Sequence, residues 1–155
     1  MQIINAAYGS NLNLRQMAMR CPTAKVYGTG VIHDYQLLFK GAPGNAYLTI
    51  EPKKGSKVPV VLWELEPEDE NALDRYEGYP SFYGKEMVPV ELDSGEIVTT
   101  MVYVMTDKIP ERIHLSPPSH HYLNIVQEGY KEFGLPNRYL GEALEISQKG
   151  GKQDG

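Results

Sequence analysis

From residue 24 to residue 63 the chain is a succession of short apolar runs divided by glycine- and lysine-bearing breaks. Residues 24–32, 35–39, 46–50 and 58–63 each have the length and the β-branched or aromatic content of a strand. Gly28 and Gly30 interrupt the first run, and glycine inside a strand marks a bulge or a sharp bend. Residues 41–45 form a loop, and Lys53, Lys54 and Lys57 around Gly55 form a second, solvated loop. A hairpin follows at 87–105, where Val88, Val90 and Leu92 alternate with Met87, Pro89 and Glu91, residues 93–96 turn, and 97–105 returns. Pro89 suits an edge or a bulge. With a further strand at residues 3–7, strands this short and this closely spaced predict a curved sheet or a barrel.

Helical periodicity appears in four places. Leu14, Met17, Ala18 and Cys21 fall at i, i+3, i+4 and i+7 after the first strand, and Cys21-Pro22 stops the helix. Residues 67–76 carry Pro67 at the first helical position and Glu68, Asp69 and Glu70 at the positive end of the dipole. Ala72, Leu73 and Tyr76 supply the apolar face of that helix, and Gly78 with Pro80 ends it. Tyr122, Ile125, Val126, Tyr130 and Phe133 share one face of a helix over 119–133, closed by Gly134 and Pro136. A loop rich in polar residues and proline precedes it at 106–118. Asn137 caps a shorter helix carrying Tyr139, Leu140, Ala143 and Leu144, and the segment from Ser147 onward has nothing to bury. The expectation is one domain over 1–146 and a flexible tail over 147–155.

Charge and cysteine usage remove several function classes. The net charge is −5 with no dense basic cluster, which argues against nucleic acid as a partner. No apolar run approaches the roughly 20 residues a membrane span needs, and no secretory leader is visible. Cys21 is the single cysteine, so no intrachain disulfide forms and a reducing compartment, the cytoplasm, is expected. Eleven tyrosines against three phenylalanines point to a pocket that needs apolar walls and hydroxyls together.

Four groups of residues bear on chemistry. Tyr8, Gly9, Ser10, Asn11 and Leu12 join the first strand to the first helix. A tight turn there presents free backbone N–H groups to a carboxylate or an oxyanion, though an ordinary strand–turn–helix junction has the same sequence. Ser10 sits where a nucleophile would, but its flanks are not Gly-x-Ser-x-Gly, and a capping or backbone-shaping serine is the better reading. The histidines form no metal-ligand spacing, His120 and His121 face apart on a helix, and Gly28-Thr29-Gly30 completes no phosphate-binding motif. No metal and no cofactor are expected. Glu77 ends its helix where the dipole disfavours a negative charge, and neighbouring aromatic residues would desolvate it and raise its pKa. An exposed helix-end glutamate or a surface ion pair is the alternative.

In order along the chain, Ala7-Tyr8-Gly9-Ser10-Asn11-Leu12, Leu73-Asp74-Arg75-Tyr76-Glu77-Gly78 with Tyr83, Tyr103-Val104-Met105-Thr106, and Pro117-Pro118-Ser119-His120-His121-Tyr122 running into Gly129–Pro136 resemble the γ-glutamylcyclotransferase family and its AIG2-like relatives. The resemblance implies an α+β fold, a small mixed β-barrel with helices packed outside. It implies an enzyme of lyase or acyltransferase type that converts a γ-glutamyl amino acid or amine to 5-oxoproline and the free amine. The substrate's own α-amine attacks its γ-carbonyl, so no catalytic serine, metal or cofactor is required. Glu77 takes the position of the catalytic acid–base. Tyr8, Gly9, Ser10, Asn11, Leu12, Tyr83 and Tyr122 match the substrate-binding positions, with Tyr103 a further candidate. A homodimer stays open. The alternative reading is a non-catalytic protein that binds a small carboxylate on the same scaffold.

Overall fold

The computed structural model describes residues 3–110 and 114–153. Strand β1 (Ile3–Ala7) leads through a 3-10 turn at Ser10–Leu12 into helix α1 (Leu14–Arg20). Strands β2 (Lys25–Ala42) and β3 (Asn45–Leu65) form a long antiparallel hairpin, followed by helix α2 (Pro67–Glu77). A second hairpin, β4 (Tyr83–Leu92) and β5 (Ile97–Met105), precedes helices α3 (His120–Phe133) and α4 (Arg138–Gln153). The strands close a barrel in the order β1-β3-β2-β4-β5. Its seam is the parallel contact of β1 with β5, Asn5 opposite Met101, and the other neighbours are antiparallel. This is the small mixed barrel with accompanying helices that the resemblance implies.

Two pairs of expected strands are each one strand. Residues 24–32 and 35–39 fuse into β2, and residues 46–50 and 58–63 fuse into β3 across the lysine segment. The breaks read from the sequence are absorbed as irregularities within a ladder that continues on both sides. Register shifts fall between Val26 and Gly28 and between His33 and Tyr35. Asp34 takes a positive φ of 62° and its side chain accepts the Gly55 N–H at 2.9 Å, so the two irregular positions satisfy each other. Lys53, Lys54 and Lys57 stay exposed as expected, but on a strand. Cross-strand hydrogen bonds won over local turn propensity. Gly30 is glycine for space, because a Cβ there would collide with the Glu91 carbonyl of β4. Pro89 lies beyond the short β2–β4 pairing at Gly30–Leu92 and Val31–Glu91, so no β2 ladder needs its missing N–H.

The helices differ from expectation at their faces and ends. Helix α1 buries Met17, with Cys21 just beyond its end, while Leu14 and Ala18 stay exposed, a narrower seam than the spacing suggests. Helix α2 starts at Pro67 behind a reciprocal cap, Glu66 and Asp69 each accepting the other's backbone N–H, and stops at left-handed Gly78. Helix α4 continues to Gln153 where a flexible tail from Ser147 was expected. Ser147 is fully buried and its hydroxyl donates to the Leu144 carbonyl at 2.7 Å, an anchor that composition alone did not reveal. The expected loop at 106–118 falls partly on 111–113, outside the described residues. Its far part runs beside the β2–β3 hairpin, with Ser116 N–H donating to Phe39 and Gly41 N–H to His114.

The core explains why the turn after β1 is held so firmly. Val58, Val60, Val61, Leu62 and Leu65 of β3 are completely buried, so this stretch is apolar on both faces and not alternating. Leu12, at the end of the 3-10 turn, is buried with them and lies against Gly129 of α3. A Cβ on Gly129 would stand 2.6 Å from the Leu12 Cβ, so only glycine admits this contact. The Trp63 indole N–H donates to the Asn11 carbonyl at 2.9 Å, tying the turn to β3. Asn13 caps α1 by accepting the Gln16 N–H and donates to the Ile125 carbonyl at 3.0 Å, tying it to α3.

Candidate active site

A cavity of about 300 Å³ opens beside the end of β1. Its wall runs from Asn5 to Asn11, takes Tyr47 and Leu48 from β3, residues 75–78 from the end of α2, Phe82 and Tyr83, Tyr103 from β5 and Tyr122 from α3. Six of the eleven tyrosines lie in this wall, which accounts for their excess over phenylalanine.

The hydroxyls hold the wall together. Tyr8, buried at the end of β1, donates to the Tyr103 carbonyl at 2.7 Å and thereby links β1 to β5. Tyr83 donates to the Leu48 carbonyl at 2.8 Å, and the Leu48 N–H donates to the Tyr122 hydroxyl at 3.1 Å. Tyr122 is met edge-on by Tyr47 at 5.0 Å, and Phe82 stacks on Tyr83. Burial pushes the Tyr8, Tyr103 and Tyr122 hydroxyls well above their ordinary range, so they stay neutral near physiological pH. The Tyr103 hydroxyl donates to Asp74 at 2.6 Å, which further favours its protonated form.

The turn itself is the cavity's most polar edge. Leu12 N–H bonds to the Gly9 carbonyl and Asn13 N–H to the Ser10 carbonyl. Among the described residues the Ser10 and Asn11 N–H groups have no acceptor, as expected for the opening residues of a helical turn. A Cβ at Gly9 would stand 3.1 Å from the Tyr122 hydroxyl, so this glycine lets α3 and the turn share one corner of the cavity. Leu12, included among the substrate-binding candidates, is not in the wall: it faces the core and anchors the turn from behind. The other candidates, Tyr8, Gly9, Ser10, Asn11, Glu77, Tyr83 and Tyr122, are brought together here.

Glu77 ends α2 with its carboxyl in the cavity wall, and Asn11 Nδ2 donates to its Oε1 at 3.4 Å. Burial raises its pKa from 4.5 to about 7, with the Arg20 charge and the Asn11 hydrogen bond pulling the other way. A carboxyl poised near neutrality accepts and returns a proton with little bias either way. Among the described residues Glu77 makes no ion pair of the kind the sequence left open.

Ser10 is not set up as a nucleophile. Its Oγ lies 3.3 Å from the Tyr76 hydroxyl and accepts from Arg20 at 3.2 Å, and no histidine lines the cavity among the described residues. His33 instead pairs with Glu91 at 2.8 Å on the exterior, and His114, His120 and His121 are exposed. Cys21 is buried, its thiol pushed up to about 11 chiefly by desolvation, as suits a core residue. Reasoning from sequence missed Arg20, Tyr47, Tyr76 and Phe82. Tyr76 was assigned to the apolar face of α2, and Arg20 had no signal beyond its place in the last turn of a helix.

Comparison with known proteins places this geometry in a family. The model of "Gamma-glutamyl cyclotransferase, AIG2-like" matches residues 6–124. A human protein named gamma-glutamylcyclotransferase is 32% identical, covering 94% of this chain and 80% of the relative. A bovine protein of the same name is 31% identical over 86% of this chain and 72% of its own length. A solved structure titled gamma-glutamyl cyclotransferase superimposes with a TM-score of 0.78 at 28% identity, covering 92% of this chain and 86% of the other.

Proposed function

Since the chain belongs to the γ-glutamyl cyclotransferase, AIG2-like family, we propose that it cyclises the γ-glutamyl group of a small amino-acid or amine conjugate, with Glu77 as the proton carrier. The substrate's α-amine nitrogen bonds to its γ-carbonyl carbon, and the resulting tetrahedral centre expels the second amine by breaking the γ-amide C–N bond. Glu77 takes a proton from the attacking ammonium and gives one to the departing nitrogen. The products are 5-oxoproline and a free amine, and no water is consumed.

The turn supplies the grip. The Ser10 and Asn11 N–H groups face a substrate carboxylate or the oxyanion of the tetrahedral centre, where donors fixed in advance cost no reorganisation. Tyr83 and Tyr122, locked through Leu48, shape the wall that keeps the glutamyl chain folded for ring closure. Holding the two reacting atoms in contact is worth up to about 7–11 kcal/mol of barrier in well-oriented intramolecular reactions. With its one thiol free and buried, the protein suits a reducing compartment, and we assign it to the cytoplasm.

The observation carrying this reading is the placement of Glu77 in the cavity wall, hydrogen-bonded from Asn11 of the turn, where burial raises its pKa. The experiment is 5-oxoproline release by purified protein across γ-glutamyl amino acids, glutathione and γ-glutamyl amines, beside Glu77→Gln. The wild type releases 5-oxoproline from at least one class and Glu77→Gln loses the activity while still binding that substrate. Release from none, with binding retained, would leave only a carboxylate-binding protein.

A further inference from the structure

Behind the wall of the cavity, the Arg20 guanidinium makes more polar contacts than proton transfer by Glu77 requires. One nitrogen, NH1, donates to Asn11 Oδ1 at 2.7 Å and to Ser10 Oγ at 3.2 Å. The other, NH2, donates to Gln16 Oε1 at 2.7 Å and to the Tyr76 hydroxyl at 2.7 Å. Its Cζ lies 3.6 Å from the centroid of the Tyr76 ring. One partly buried cation thus clasps the turn, its own helix α1 and the residue preceding Glu77. We propose that Arg20 is a positioning residue for the reaction: by claiming Asn11 Oδ1 it fixes which way the Asn11 amide points, so that Nδ2 is presented to Glu77 Oε1 and Oε2 is left for the substrate's protons.

The argument is one of donor and acceptor inventory. A carboxamide has one oxygen and one nitrogen, and the two orientations are nearly equal in size. A guanidinium has only donors, so the Asn11 oxygen must face it and the nitrogen must face away, towards Glu77. Without Arg20 the amide would be free to turn its oxygen towards the carboxylate, placing two acceptors together. Lysine in its place keeps the charge but gives up the planar fork that reaches Ser10, Asn11, Gln16 and Tyr76 together. Arg20 also contributes a fixed positive charge to Glu77. The other groups facing that carboxyl are Tyr8 from β1, Tyr103 from β5 and Tyr122 from α3, whose hydroxyls remain neutral, and the adjacent Arg75 and Tyr76 on α2. Arg20 is therefore the charge behind the turn, itself outside the cavity wall, whose removal reaches Glu77 through its charge and through Asn11.

This role rests on the cyclotransferase reading, but the test separates the two. The Glu77 carboxyl is titrated by carbon NMR in wild type, Arg20→Gln, Arg20→Lys and Asn11→Ala, and kcat and KM are measured on the best γ-glutamyl substrate, with thermal melts confirming folding. Arg20→Gln is expected to raise the midpoint for Glu77 by about one pH unit and to lower kcat about tenfold or more, with KM changed less than about threefold. Arg20→Lys is expected to recover the midpoint more than the kcat, because it restores charge without orientation. In the Asn11→Ala background the kcat loss from Arg20→Gln is expected to shrink. An unmoved Glu77 midpoint in a folded Arg20→Gln protein, or full additivity of the Arg20 and Asn11 substitutions, overturns the proposal. If no substrate turns over, the cyclotransferase reading fails, and the NMR titration still decides whether Arg20 and Asn11 govern Glu77.

Discussion

Replacing Glu77 by glutamine is expected to stabilise the protein at alkaline pH while destroying its activity. The half-buried carboxyl has its pKa raised from 4.5 to about 7, so the folded chain holds this proton about 300-fold more tightly than the unfolded chain. At 1.36 kcal/mol per tenfold, the full cost of ionising Glu77 in the native state is about 3 kcal/mol. The sign follows from proton counting. Between the two values the folded state binds more protons than the unfolded state, so stability falls as pH rises through that window. Below it the cost is absent, and above about pH 7 nearly all of it is present. Glutamine is neutral throughout and keeps an acceptor for Asn11. The stability difference between Glu77→Gln and wild type should therefore shift in the variant's favour by roughly 2–3 kcal/mol from about pH 5 to about pH 8. Urea melts at both pH values measure it directly. With a slope of about 2 kcal/mol per M, the midpoint difference moves by about 1 M. A difference that is the same at both pH values, or that moves against the variant, would show that the carboxyl is not desolvated as the geometry implies. Such a gain from disabling a site is the expected signature of a functional group held where it is unstable.

Other outcomes follow from the same contacts. The kcat/KM of the wild type should fall about tenfold per pH unit below about pH 7, because a protonated Glu77 cannot accept from the ammonium; a flat acid limb would remove it as the base. Gly129→Ala should cost about 1–3 kcal/mol and lower activity together, because the new Cβ pushes Leu12 and the turn in front of it; a thermal melt and a rate on one preparation suffice. Ser10→Ala should retain activity to within about tenfold, whereas a nucleophilic serine would lose about a millionfold, and an assay on the purified variant separates them.

Much of the fold was legible because it is written in local pattern. Helix α2 announced its start with Pro67 and its acidic first turn and its end with Gly78, and β4 showed plain alternation ahead of the turn that leads into β5. The long strands did not read as single strands. Their breaks are local, at Gly28, Asp34 and Gly55, whereas the ladder that overrides them joins residues far apart in sequence, such as Val31 with Pro59 and Leu37 with Ile50. The continuation of α4 past Ser147 was hidden for a similar reason, since Ser147 looks polar in sequence and is buried in the fold.

At the site, the sequence by itself determined the chemical types: a tight glycine-bearing turn after a strand, a glutamate misplaced at a helix end, and a surplus of tyrosines. Through resemblance it also implied the roles proposed for them. It left open whether Glu77 would be desolvated, exposed or ion-paired, because the answer depends on groups 66 residues away in the chain. Tertiary structure decided that. Barrel closure brings the turn after β1 against the end of α2, which desolvates Glu77, hands it one hydrogen bond from Asn11 and sets Arg20 behind both. Leu12 passes from binding candidate to anchor by the same packing, since a residue's neighbours in space, not in sequence, fix its dielectric surroundings and its partners.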